Sequence, residues 1–156
     1  PETLFPYTTL FRSPFFMEVL LENAIQKFQN RGMRPSIQRA KILQYLLDKR
    51  NHPTVDLIYQ ELLPELPTLS RTTVYNTLDA FCENGLAIHL DFGEGFLRYD
   101  ADTSPHSHFF CKCCQKVFDL EIPPEDIASK LPKGFAIQES QLYAFGVCEE
   151  CNKAKL

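Results

Sequence analysis

The sequence contains no apolar run of about 18 residues or more, so no transmembrane helix is expected from it. Its first residues lack the basic start, uninterrupted apolar core and small-residue cleavage site of a secretory signal. The expected compartment is therefore the reducing cytoplasm, where six cysteines argue for metal binding before disulfides. Basic charge is not in excess: 16 Lys and Arg against 20 Asp and Glu leave −4 at pH 7. Net charge thus announces no nucleic-acid partner, although a local patch can hide beneath it. No H-x-E triplet accompanies the C-x-x-C pairs, which removes the water-handling glutamate of a zinc deaminase. There is no thioredoxin-like pattern around those pairs and no internal repeat. What is present is 156 residues, 44% hydrophobic and 23% charged, enough for one domain or two small ones around a buried core.

Residues 1–16, PETLFPYTTLFRSPFF, differ from the rest, with three prolines, five aromatics, and Glu2 and Arg12 as their charges. They are similar to translated adapter sequence. We read Met17 as the start of the native chain and 1–16 as a non-native or disordered extension without functional weight.

From there the periodicity is helical. Val19, Leu20, Ala24, Ile25 and Phe28 recur at helical spacing over 18–30, and Gly32 ends the run. Ser36 is placed to cap a second helix, with Ile37, Ala40, Leu43 and Leu47 on one face. Thr54 would cap a third, carrying Val55, Ile58, Tyr59 and Leu62. Ser70 would cap a fourth, with Val74, Leu78 and Phe81 inward and Gly85 at its stop. The period then changes to two. AIHLDF, GEG and FLRYDA read as strand, turn and strand, a β-hairpin. Helices followed by a hairpin make a winged helix-turn-helix. After the polar linker DADTSPHS the pattern predicts strands near 108–111 and 116–121, a short helix after Pro123-Pro124, and a long alternating strand over 135–147. The fold class is α+β: a winged helix over 17–99, then a small α/β domain with zinc over 100–156.

Over 17–98 nine basic residues face ten acidic ones, but 27–41 holds Lys27, Arg31, Arg34, Arg39 and Lys41 and no acidic residue. A phosphate-contacting edge needs such focusing, and a solvated helix face produces it equally often. In the fourth helix, Arg71, Thr72, Thr73, Tyr75 and Asn76 lie nearer the exposed N-terminal part, where a recognition helix meets base edges. Arg pairs with guanine, Asn with adenine, and Thr or an aromatic packs on the thymine methyl. For Tyr75, taken alone, a place in the core is the stronger reading.

The cysteines are more specific. Cys111 and Cys114 form one C-x-x-C pair, Cys148 and Cys151 another, and two such turns clamp Zn2+ as a tetrahedral structural ion. Cys113 and Cys82 are read as non-ligands. His106 and His108 are two apart, on the opposite strand face from Cys111, so one stretch serves two sites. With His52, Asp100 and Asp119 they make a set of three imidazoles and two carboxylates. That set is harder than thiolate and suits Fe2+ or Mn2+, though it also accepts Zn2+. His89 is read as an exposed wing residue.

GMRPSIQR, HPTVDLIY, SRTTVYNTL, RYD, HSHFFCKCC, KVFDLE and AFGVCEEC together resemble the ferric uptake regulator family, from about Glu18 to Lys155. The resemblance implies a homodimeric, metal-dependent transcriptional repressor and not an enzyme. It implies that the winged helix binds AT-rich inverted-repeat operators in double-stranded DNA while the C-terminal half dimerises. By position, Arg34 matches the residue entering the minor groove, and Tyr75 the tyrosine on thymine methyls, which reverses the core reading. Cys111, Cys114, Cys148 and Cys151 match the structural zinc ligands, and His52, Asp100, His106, His108 and Asp119 the regulatory Fe2+ or Mn2+ site. Asp at both 100 and 119 is similar to the peroxide-responsive branch, where the residues at His52 and His106 are oxidised. Iron sensors more often carry Glu at both places. Ser107 stands where an aromatic is usual and Ser36 where Thr is usual. The alternative within the family is a sensor of iron, manganese or zinc concentration. A zinc-ribbon module would leave the winged helix unexplained.

Overall fold

The structure, a computed structural model, describes residues 14–122 and 130–154, with side chains in the first helix from Glu22 onward. The helix expected after Pro123-Pro124 lies outside the described residues. The first 13 residues of the expected extension do too. The described residues divide into two compact units. The first runs through Leu90 and adds Phe96–Asp102, and the second is Asp91–Gly95 with everything from Thr103 on.

The first unit holds helices α1 (Pro14–Gln29), α2 (Ile37–Lys49), α3 (Val55–Leu62) and α4 (Arg71–Glu83), then the hairpin β1 (Ile88–Leu90) and β2 (Arg98–Asp100). Helix α1 starts three residues before Met17, so Pro14, Phe15 and Phe16 of the expected extension are helical rather than disordered. Proline suits a first helical position because its missing N–H would have no intrahelical partner there. Three helices open on a hydroxyl cap: Ser36 Oγ accepts from Arg39 N at 3.1 Å, Thr54 Oγ1 from Leu57 N at 3.2 Å, and Ser70 Oγ from Thr73 N at 3.0 Å. Each satisfies an N–H that the helix itself leaves orphaned. Helices α1 and α4 end alike. Gly32 and Gly85 turn left-handed, and the residue after each donates back, Met33 N to Phe28 O and Leu86 N to Phe81 O.

Phe28, Ile42, Ile58, Val74, Leu78 and Phe81 are fully buried, with Phe28 and Phe81 stacked at 5.7 Å. Removing each such side chain from water contributes roughly 1.5–3 kcal/mol, an upper figure before chain entropy. The face expected for α2 was partly misplaced. Ala40 and Leu43 are buried, but Ile37 and Leu47 are exposed, and Ile42, Tyr45 and Leu46 are inward. Helix α2 packs on α1, α3 and α4 together, so its buried stripe is wider than one amphipathic face and turned from it. In the hairpin, Ile88 pairs with Asp100 and Leu90 with Arg98.

The second unit is a three-stranded sheet in the order β4-β3-β5, from β3 (Ser107–Cys111), β4 (Val117–Leu120) and β5 (Tyr143–Gly146), closed by the short helix α5 (Glu149–Lys153). β3 runs antiparallel to β4 and parallel to β5. The long strand expected over 135–147 is reduced to 143–146. Pairing with β3 begins at His108 opposite Tyr143, and residues 135–142 find no partner strand among the described residues. Alternation marks a surface fit for pairing, not the presence of a partner. Phe135 and Ile137 accordingly stay exposed. Among the described residues no helix is long and apolar enough to cross a membrane.

Candidate metal centres and nucleic-acid interface

Helix α4 turns Val74, Leu78 and Phe81 into the core, which leaves Arg71, Thr72, Tyr75 and Asn76 exposed on the other side. Tyr75 is half exposed, so its phenol is not a core group. Thr73 behaves differently. It is partly buried, and its hydroxyl lies 2.8 Å from Ser70 Oγ within the cap, so one of the hydroxyl's hydrogen-bonding positions is already taken. Arg71 carries two contacts that the spacing did not foretell. Its Nε donates to Asp56 Oδ1 at 2.5 Å, and its guanidinium lies 4.3 Å from the centre of the Tyr59 ring. The hydrogen bond to Asp56 raises the basicity of Arg71.

The basic stretch divides by role. Arg31 Nε donates to Asn84 O, Arg39 Nη1 to Arg34 O, and Lys41 pairs with Glu65 at 2.9 Å. Three of its five cations thus brace the fold, while the Arg34 side chain is exposed.

The first unit also carries His52 and Asp100. His52 is buried with φ 49, a left-handed conformation uncommon for a residue with a Cβ and one that clusters at functional sites. Next to it, Pro53 O accepts from Tyr99 N at 3.0 Å, tying this segment to β2 and bringing Asp100 alongside. Asp100 is buried, and its Oδ2 sits 3.6 Å from His52 Nε2. Its Oδ1 accepts from Asp102 N at 2.8 Å, which fixes the carboxylate.

The second unit carries His106, His108 and Asp119. Strand register places His108 opposite Asp119 on β4. The Nε2 atoms of His106 and His108 approach the same oxygen, Asp119 Oδ1, at 3.7 and 3.8 Å. His106 Nδ1 lies 2.8 Å from Ser104 O. A carbonyl only accepts, so Nδ1 carries the proton and Nε2 keeps its lone pair for a ligand role. Two imidazole nitrogens and a carboxylate converging on one point form half of a hard-cation shell.

On the other side of this sheet the four sulfurs of Cys111, Cys114, Cys148 and Cys151 lie within 4.8 Å of one another. Cys114 and Cys148 Sγ are 3.8 Å apart. A tetrahedron with Zn–S bonds of about 2.3 Å has edges of about 3.8 Å, so the donors fit zinc. The Cys111 thiol is pulled down to about 6, first by the Cys114 N–H and then by that of Cys148, which points at Cys111 Sγ from 3.3 Å. The Cys151 thiol is pushed up, first by its hydrogen bond with the Cys148 thiol and then by burial. Crowded sulfurs cannot all ionise alone, and a dication removes that conflict. Cys113 is exposed and Cys82 half-buried, and neither joins the four.

Sequence reasoning missed Asp56 and Tyr59 as partners of Arg71, although their i, i+3 spacing puts both on one face of α3. It also missed Ser104, whose part is played by a backbone carbonyl that side-chain identity does not reveal.

The sequence pattern of the ferric uptake regulator family matches residues 30–145. The chain is 38% identical over 136 residues to the peroxide operon regulator of Bacillus subtilis, covering 85% of this chain and 94% of that protein. It is 35% identical over 136 residues to the peroxide-responsive repressor PerR of Staphylococcus epidermidis, covering 85% and 91%. Among solved structures, the Helicobacter pylori ferric uptake regulator superposes with a TM-score of 0.66 at 20% identity, over 87% of this chain and 93% of that one, which speaks for the fold. This chain belongs to the ferric uptake regulator family and is a metal-dependent transcriptional repressor, not an enzyme.

Proposed function

We propose that the chain is a peroxide-responsive repressor in which His52 and Asp100 of the first unit and His106, His108 and Asp119 of the second ligate one regulatory metal. The observation that carries this is the convergence of His106 and His108 Nε2 on Asp119. The buried His52–Asp100 pair supplies the matching donors. Aspartate at both carboxylate positions, and the likeness to peroxide regulators, favour this branch. Cys111, Cys114, Cys148 and Cys151 hold the structural zinc. Five protein donors leave one octahedral position open.

Fe2+ held by these five residues would supply one-electron redox chemistry toward hydrogen peroxide that Mn2+ would not. His52 or His106 takes up one oxygen atom from peroxide while the other leaves as water. An oxidised imidazole is a poor ligand, so the link between the units is lost. While the link holds, it selects the orientation that spaces the two recognition helices of a homodimer across successive major grooves. Arg34 then enters the minor groove of an AT-rich inverted repeat. Arg71, Tyr75 and Asn76 read base edges, and Thr73 offers its methyl. The donor set also accepts Zn2+, which supports a metal-concentration sensor as the second reading.

The test is peptide mass mapping after the protein is loaded with Fe2+ without oxygen and given a small excess of hydrogen peroxide. One added oxygen on peptides holding His52 or His106, absent with Mn2+, is the expected result. Unmodified histidines in protein shown to retain Fe2+ would move the assignment to a metal-concentration sensor.

A further inference from the structure

We infer that Asp56, Tyr59 and Arg71 form a preset reader for a guanine in the operator, an inference that rests on the DNA-binding reading above. Arg71 is the first residue of α4, and Tyr75 lies one turn further along the same face. Both are exposed, on the side opposite the core. The Arg71 guanidinium is held from two directions. Asp56 Oδ1 takes its Nε at 2.5 Å, and the Tyr59 ring covers its face at 4.3 Å. Asp56 and Tyr59 both project from α3, which packs on α4, so the fold presents both partners to Arg71 while the Arg71 and Asp56 side chains stay exposed.

An arginine has five N–H donors in a planar fork. With Nε engaged by Asp56, the outer edge formed by Nη1 and Nη2 makes no hydrogen bond among the described residues. That edge matches the O6 and N7 acceptors of guanine in the major groove. A phosphate is the other group it could take, and charge decides between them. Asp56 cancels the charge of Arg71 at contact distance, so the pair releases little counterion on approaching a phosphate and sets an anion beside an anion. A guanine edge is neutral and suffers neither effect. The stack on Tyr59 and the bond to Asp56 also fix a flexible side chain before DNA arrives, which lowers the ordering cost of the contact.

Selection from a random duplex pool with metal-loaded protein, followed by salt titrations on the selected site, tests this. The wild type is expected to select at least one G per half-site that Arg71→Ala no longer distinguishes, with roughly 5- to 150-fold lost discrimination there. The salt slope should hardly change. Arg71→Lys, which keeps the charge and loses the fork, should behave like Arg71→Ala. Asp56→Asn should relax the preference for G and steepen the salt dependence by roughly one counterion, as the freed cation turns to phosphate. If Arg71→Ala weakens all sequences alike, flattens the salt slope by about one and is rescued by lysine, Arg71 is a phosphate anchor and the inference is overturned. It is also overturned if Arg71→Ala selects the wild-type consensus unchanged. A wild type that selects no consensus would instead overturn the DNA-binding reading, and this inference with it.

Discussion

The two units solve the folding problem with different means. In the first, side chains from four helices bury one another, and Phe28, Ile42, Ile58, Val74, Leu78 and Phe81 are closed to solvent. In the second, the described sheet has three short strands, and Phe118, Phe135, Ile137, Phe145 and Val147 remain exposed. Its most enclosed groups are Ser107, Cys111 and His108, followed by Phe110, Phe92 and Cys148, so only two large apolar side chains are buried there among the described residues. Apolar burial scales with the surface removed from water, and a small sheet cannot remove much. In the function proposed above, ligation by four thiolates would replace it, because a site absent from the unfolded chain turns binding energy into folding energy. On that reading, one chain holds a unit folded by its own apolar core and a unit whose folding draws on metal.

The largest expected effect separates the units by metal. Chelation, or Cys148→Ser, should abolish protection from hydrogen exchange in 107–120 and 143–146 while leaving 37–83 protected. Structural zinc supplies about 10–16 kcal/mol in small zinc modules. Retained protection in the sheet without zinc would break the comparison. The reverse experiment follows. Phe81→Ala removes one half of the stacked Phe28–Phe81 pair and should cost the helical unit about 3–5 kcal/mol. It should leave zinc affinity unchanged in a competition with a metallochromic chelator. A fall in zinc affinity of the same order would mean that the two units fold as one.

The smallest effect is a matter of pH. Burial pushes the Tyr99 phenol up to about 12 from its ordinary 10.0. The folded state therefore holds the proton more tightly than the unfolded chain. The resulting stability is complete below pH 10 and is lost as pH rises from 10 to about 12, by about 2–3 kcal/mol in all. Tyr99→Phe should flatten that alkaline decline in urea titrations of the helical unit. An unchanged decline would show that other groups set it.

How much of this was readable in the sequence depends on range. The caps at Ser36, Thr54 and Ser70 were, because a hydroxyl reaching an N–H three residues on is local chemistry. The four cysteines were, because spacing within each turn is also local. Ile37 was assigned to the wrong side of α2, since which face is buried depends on three neighbouring helices. Residues 135–142 alternate as a strand should, yet alternation does not supply a partner. The hold of Asp56 and Tyr59 on Arg71 depends on how α3 meets α4, and no periodicity encodes that contact.

Thr73 and Tyr75 stand two residues apart on α4 and answer to different demands. Thr73 spends its hydroxyl on Ser70, inside the first turn, while Tyr75 faces outward. A genetic screen scored by loss of repression would return both, and would tempt one to draw both as contacts to bases. The hydroxyl at 73 is grammar, a brace on the Ser70 cap with which the helix begins. The phenol at 75 is vocabulary, and only changes of that second kind can alter which operator is read without altering whether there is a reader.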